Sequence, residues 1–343
     1  MSDSVFLAAA RGVSAAHTPV WFMRQAGRSL PEYKAVRGEG SILHAIKNPT
    51  LAAEITLQPV RRYGVDAAVL YSDIVVPAHA IGFGIDVAPG TGPMATTPFR
   101  YASDLNRVRV FEPATDTPYV IETCKILADE LKVPLLAFAG APFTVASYLV
   151  EGRPSRTYEH TKALMYTDEA TWHELMSRLA QHAIASIQSQ LNAGASAFQL
   201  FDSWAGALSR RDYERFALPH SRRVFAELAS SHPLAPGIHF GMGCDHILES
   251  LYAAGPTVIG LDWRTRIADA RTRLGANTVV QGNLDPAMVL AGWPVAKQGC
   301  EAVLADNGGH PGHIFNLGHG VHPNTDPGVL HQIVDYVHEK TAS

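Results

Sequence analysis

Eight short runs rich in β-branched, aromatic and leucine residues recur along the chain, with helical patterns between them. They are Pro19–Met23, Ala67–Ser72, Pro134–Gly140, Ala197–Ser203, Gly237–Gly241, Val258–Trp263, Thr278–Asn283 and His313–Gly318. Most are almost continuously apolar, the pattern of a parallel sheet covered on both faces. The intervening stretches carry helix punctuation. One opens at Asn48-Pro49 and runs to about Tyr63, with proline at a first helical position. Another runs from Thr171 to Asn192 and closes on Gly194. Further helices are expected over about Ser209–Ser230, His246–Ala254, Pro294–Asp306 and Pro327–Lys340. Eight strands separated by helices favour a closed (β/α)8 TIM barrel over an open doubly wound sheet. The 343 residues suffice, since such a barrel needs about 250. We read a single domain over residues 1–343, with residues 1–18 as an N-terminal extension. The Gly-, Pro- and Thr-rich stretch 82–117 is expected to be an excursion or hairpin after the second strand.

The formal net charge is −4, which argues against nucleic acid or an anionic membrane as partner, because both want a basic face. A small acidic substrate remains open if positive charge is concentrated locally. Cys124, Cys244 and Cys300 are too widely separated for a disulfide framework, which indicates a reducing compartment. No run approaches the roughly 18 apolar residues of a membrane span. The run VFLAAA near the start follows Asp3 and no basic residue, unlike a secretory signal. A soluble, cytoplasmic protein is expected.

In a parallel barrel, chemistry sits at the carboxyl ends of the strands. Polar residues do collect just after each strand candidate: Arg24, Gln25 and Arg28; Ser72 and Asp73; Thr144, Ser147 and Tyr148; Asp202 and Ser203; His239; Asp262; Gln281 and Asn283; and His319 between two glycines. Each has a plainer reading. Arg24 and Arg28 would share a side if their segment were helical, or could pair with Glu32 or Glu39. Asp73 could only cap the following helix. Tyr148 could be a core tyrosine with a wet tip, and Ser203 ordinary turn chemistry. His239-Phe240-Gly241 has glycine where a His-x-Cys zinc motif would place its thiolate, and no CxxC or HExxH spacing occurs. No metal ligand set is expected, and no phosphate-cradling loop is present.

Several segments together resemble one family. PVWFMRQAGRSLPEYKAVR (Pro19–Arg37) and GAPFTVASYLVEG (Gly140–Gly152) are similar to the two signatures of uroporphyrinogen decarboxylase. LYSDIVVPAHAIG, QLFDSWAG and FNLGHGVHPNTDP resemble further segments, in order, across nearly the whole chain. Phe22 and Ser29 depart from the first signature at positions not expected to touch chemistry. The resemblance implies a single (β/α)8 barrel, usually a homodimer, that removes carbon dioxide from the four acetates of uroporphyrinogen in haem biosynthesis without metal or organic cofactor. It implies that Arg24, Arg28, Asp73, Tyr148, Ser203 and His319 contact substrate. Gln25 and Ala26 would belong to the same first loop, and Phe201 would line the pocket.

That chemistry would suit these residues. Arginine forks hold carboxylates in a fixed plane. A protonated pyrrole becomes a cationic sink for the electron pair, and Asp73 near the ring nitrogens would stabilise it. Arg28 and His319 would clamp peripheral carboxylates. Arg24 would clamp or help deliver a proton, and Tyr148 and Ser203 would position a carboxylate. Two competitors are a zinc-dependent methyltransferase on a sister barrel, which would need thiolates after strands five and eight, and a barrel that only binds a tetrapyrrole.

Overall fold

The computed structural model describes residues 4–27, 29–38, 40–88 and 92–342. Seven of the eight apolar runs form one parallel sheet: β1 (Ala68–Val69), β4 (Leu135–Gly140), β5 (Ala197–Phe201), β6 (Gly237–Phe240), β7 (Val258–Gly260), β8 (Val279–Gln281) and β9 (His313–Ile314), paired in that order. An antiparallel pair, β2 (Ile85–Ala88) and β3 (Gly92–Ala95), forms a separate sheet inside the expected excursion. Every residue of β4 is buried, as a strand covered on both faces requires.

The first run, Pro19–Met23, is not a regular strand. It contributes a single parallel bridge, Val20 to Phe315. Its backbone nevertheless bonds on both sides. Phe315 N–H donates to Pro19 O at 2.8 Å, and Asp66 N–H donates to Val20 O at 2.8 Å. The shortfall has a physical reason: Pro19 has no N–H for a ladder, and Arg24 leaves the strand region with φ near 62°. The sheet is therefore a curled parallel α/β sheet of seven strands.

Helix boundaries follow the sequence chemistry. The helix Pro49–Tyr63 begins where the Asn48 side chain accepts a bond from Leu51 N–H at 3.2 Å, and it ends on left-handed Gly64. The expected helix ending before Gly194 spans Glu169–Asn192, and those near the C-terminus span Trp293–Asn307 and Pro327–Thr341. One continuous helix was expected over 209–230; instead Arg210–Phe216 and Leu218–Ser231 meet at Ala217. Pro219 causes the break, because it offers no N–H to the preceding turn. Likewise 246–254 resolves into a 3₁₀ turn, Asp245–Ile247, and a short helix, Leu248–Tyr252. Among the described residues no helix is long and apolar enough to cross a membrane.

Inside the sheet's curl runs a chain of buried polar side chains. Trp21 Nε1 donates to Gln281 Oε1 at 2.9 Å, and Gln281 Nε2 donates to Gln199 Oε1 at 2.8 Å. This ties the irregular first segment to β8 and β5 across the interior. Gln281→Met keeps the volume but orphans a buried donor and a buried acceptor, each costing about 1–3 kcal/mol. We expect urea unfolding to show a loss of roughly 2–5 kcal/mol; a change below about 0.5 kcal/mol would mean that this chain does not hold the segment in place.

Candidate active site

Because the seven strands are parallel, their carboxyl ends share one rim. The first loop reaches that rim from Phe22 onward. Its anchors lie on the last strand segment: Met23 N–H donates to Asn316 Oδ1 at 3.1 Å, and Val321 N–H donates to Met23 O at 2.9 Å. Arg24 is exposed and sits in the left-handed region. Its aliphatic stem lies over Gly320, where a Cβ would come within 2.5 Å of Arg24 Cδ. The segment is thus a loop rather than a helix, and the i,i+4 argument for a shared arginine face does not apply. Gly27, at φ 117°, packs against the Tyr33 ring. Arg28 lies outside the described residues.

Gln25 serves the loop itself. Its side chain is buried, accepting from Phe22 N–H and donating to Ala67 O, both at 3.0 Å. Ala26 beside it is half-buried.

Asp73 follows β1 and is half-buried. Its Oδ1 accepts from Val75 N–H at 3.0 Å, an Asx turn ahead of the helix Val76–Ala80, whose own cap residue, Val75, receives no side-chain cap bond; Asp73 therefore shapes the turn and does not cap the helix. Its charge also reaches Tyr148. That tyrosine lies on the helix Pro142–Glu151 and stacks on Trp204, ring centroids 3.8 Å apart. Burial pushes the Tyr148 phenol well above its ordinary range, the Asp73 charge adds to this, and Arg24 partly offsets it. Asp73, Tyr148 and Arg24 therefore share one electrostatic neighbourhood. Phe201 and Ser203, at the end of β5, are half-buried; Phe201 meets Phe138 edge to face at 5.5 Å. His319 is half-buried in the turn that follows the bridge at Leu317.

The other polar strand-end residues are used inside the protein. Thr144 Oγ1 donates to Asp202 Oδ1 at 2.8 Å, and Ser147 Oγ donates to Phe143 O at 2.8 Å. Asp202 and His239 are completely buried, with a carboxylate oxygen and Nε2 3.7 Å apart. Asp262 accepts from Gly243 N–H and from Arg264, while Asn283 donates to Asp262 O and Thr265 O. The strand period explains the division: Asp202 lies between Phe201 and Ser203 and must face the opposite side.

The sequence suggested no role for two residues at the site, although Gly320 is one of the glycines that flank His319. Trp204 is the platform under Tyr148, and Gly320 is the seat of Arg24. Both lie inside segments that carried the family resemblance, and only the glycine between two chemically marked segments offered a signal.

These features define a class: a parallel α/β protein whose candidate site lies on the carboxyl rim and combines an arginine, a carboxylate and a partly buried phenol. Comparison with known proteins narrows it. The model of the uroporphyrinogen decarboxylase (URO-D) family matches residues 1–340. A uroporphyrinogen decarboxylase of Salinispora tropica is 53% identical over 342 residues, covering 99% of this chain and 91% of that protein. That of Streptomyces coelicolor is 54% identical over 340 residues, covering 99% and 95%. Among solved structures, a methyltransferase from Methanosarcina mazei shares the fold, with TM-score 0.79, 18% identity and 98% coverage of both chains. The chain belongs to the uroporphyrinogen decarboxylase family.

The raised Tyr148 pKa means that the native protein keeps this proton where the unfolded chain, ionising near 10, releases it. Stability should therefore fall as pH rises above about 10. In Tyr148→Phe the slope of unfolding free energy against pH, measured by urea unfolding between about pH 10 and 11, should be shallower than in the parent; an equal slope would mean that the phenol titrates as a free tyrosine does.

Proposed function

We propose that this chain is a uroporphyrinogen decarboxylase, releasing carbon dioxide from the four acetate side chains of uroporphyrinogen to give coproporphyrinogen. The grouping of Asp73, Tyr148 and Arg24 at one rim carries this reading, and relatives of that name at 53% and 54% identity support it. The pyrrole supplies its own electron sink. A proton added to the ring α-carbon beside the acetate-bearing carbon makes an iminium. The electron pair of the breaking C–C bond flows into it as carbon dioxide leaves. The exocyclic methylene then takes a proton to become methyl, and the ring carbon returns its proton. One proton is consumed for each carboxylate lost.

Asp73 stabilises the cationic ring as it forms, an electrostatic contribution that needs no cofactor. Arg24, Arg28 and His319 grip peripheral carboxylates, and Tyr148, held as a neutral donor, and Ser203 position one by hydrogen bonds. Phe201, Gln25 and Ala26 complete the surround. In this reading Pro19–Met23 closes a single (β/α)8 barrel as its eighth strand, and the enzyme works as a cytoplasmic homodimer.

The competing methyltransferase reading needs thiolates at positions 241 and 318. Both are glycines without room for one. A Cβ at Gly241 would lie 2.6 Å from Cys244 Sγ, and one at Gly318 would lie 2.4 Å from Trp263 N. Cys244 itself is buried, with its thiol pushed well above the ordinary range.

Asp73→Asn retains an Oδ1 for Val75 N–H, so it removes charge with little change to the turn. Turnover of uroporphyrinogen should fall by at least about 10²-fold, read by porphyrin fluorescence after oxidation; near-normal turnover would rule out the charge role. Gly320→Ala forces the Arg24 stem aside. Its kcat/KM should drop by about 10- to 10²-fold while the fold stays intact by circular dichroism, and an unchanged kcat/KM would remove Arg24 from the account.

A further inference from the structure

At the opposite end of the sheet, three side chains from distant parts of the chain converge. Asp66 precedes β1, His17 lies just before Val20, and His338 lies in the last turn of the helix Pro327–Thr341. His17 Nε2 is 3.0 Å from Asp66 Oδ1, and His338 Nε2 is 2.8 Å from Asp66 Oδ2. The imidazole centroids are 4.0 Å apart. The donor atoms all lie within 4.8 Å of one another.

We propose that His17, Asp66 and His338 form a binding site for a divalent transition cation of the zinc class, a clasp joining the N-terminal segment, the sheet and the C-terminal helix. Two imidazole nitrogens and one carboxylate make a donor set of the kind that zinc accepts. Tetrahedral bonds near 2.0–2.1 Å place ligand atoms about 3.3 Å apart; the two histidine contacts, one to each oxygen of Asp66, open by a few tenths of an ångström to admit the ion, and the ligand atoms already lie within 4.8 Å of one another. The carboxylate is already oriented from behind, since Val20 N–H donates to Asp66 Oδ2 at 2.7 Å. The backbone around it is braced as well. Thr18 N–H donates to Thr341 Oγ1 at 2.8 Å, which in turn donates to Val337 O.

Access suits an ion. The two histidine side chains are 24% and 26% exposed while Asp66 is 10% exposed. His17 also lines a cavity of about 600 Å³ between the N-terminal segment and the C-terminal helix, which gives an ion a route to that ring. As hydrogen-bond donors, both rings carry their proton on Nε2. On binding, the cation takes the place of the proton at each Nε2 while Nδ1 remains available to carry a proton, with no electron transfer. The sequence held no hint of this, because the two histidines are separated by almost the whole chain and fit no ligand spacing. The site faces away from the carboxyl rim, so it does not depend on the decarboxylase reading.

The test titrates metal-stripped full-length protein with zinc sulfate by calorimetry, and separately with Co²⁺ by visible absorption. One equivalent of Zn²⁺ should bind and raise Tm above that in chelator, and bound Co²⁺ should show the d–d bands of an imidazole site. His17→Gln and His338→Gln keep an amide N–H for Asp66 but lose the imidazole ligand. Each should weaken binding at least about tenfold and abolish the Tm gain, with uroporphyrinogen turnover unchanged. No stoichiometric binding by the parent, or parent-like binding by both variants, overturns the proposal. If a variant fails to fold, diethyl pyrocarbonate labelling of the parent decides: Zn²⁺ should protect His17 and His338, and equal labelling with and without Zn²⁺ overturns the site.

Discussion

Parallel hydrogen bonding among seven strands is the constraint on which the rest depends. It sends every carboxyl end to one rim and every amino end to the other, so the two faces of the sheet acquire different duties. The same short segment shows both. Asp66, ahead of β1, is bonded into the lower face with Val20, while Asp73, just beyond β1, belongs to the upper rim. The irregular first segment has to satisfy both at once. It accepts backbone bonds from Asp66 and Phe315, sends the Trp21 indole inward to Gln281, and only then turns outward to present Arg24. A segment so tied places a guanidinium more precisely than a free loop could.

A protein of net charge −4 can hold a polyanion because electrostatics at a site are local. Exposed charges more than about 8 Å away are largely screened at physiological salt, whereas groups that share a partly buried pocket are not. Tyr148 reports this locality. Its proton affinity responds to burial first, then to Asp73 and Arg24, and the many surface carboxylates do not figure. The same burial keeps the phenol protonated, and so a hydrogen-bond donor, beside the Asp73 charge.

Much of this could be read from sequence, and the reasons for the remainder are particular. Strand runs were legible because a buried parallel strand needs continuous apolar residues; the first run makes one bridge and no ladder because Pro19 cannot donate, which the sequence does show, and because the chain veers at Arg24, which it does not. The strand ends were legible as places, but facing was not. Asp202 and Ser203 are neighbours of equal polarity, and only the register of β5 against β6 sets one inward toward Thr144 and leaves the other at the rim. The break at Ala217 was signalled by Pro219 and overridden by a helical apolar pattern on both sides of it. Longest-range convergence was invisible: no periodicity relates His17 to His338.

The contact between Arg24 and Gly320 shows why the first signature and the later segment FNLGHGVHPNTDP form one device. Arg24 occupies a backbone region that costs a non-glycine residue about 1–3 kcal/mol, a strain retained only when the surroundings over-determine it. Here the surroundings are the strand-nine turn: Asn316 and Val321 hold Met23 from either side, and the missing side chain at Gly320 leaves the groove in which the arginine stem lies. His319, next to that glycine, is thereby fixed beside the arginine by the same backbone. Two cationic or proton-bearing side chains from opposite ends of the sequence thus share one rigid support. Both lie in turns anchored to the same bridged segment, so their relative placement follows from backbone bonding more closely than a free loop would allow.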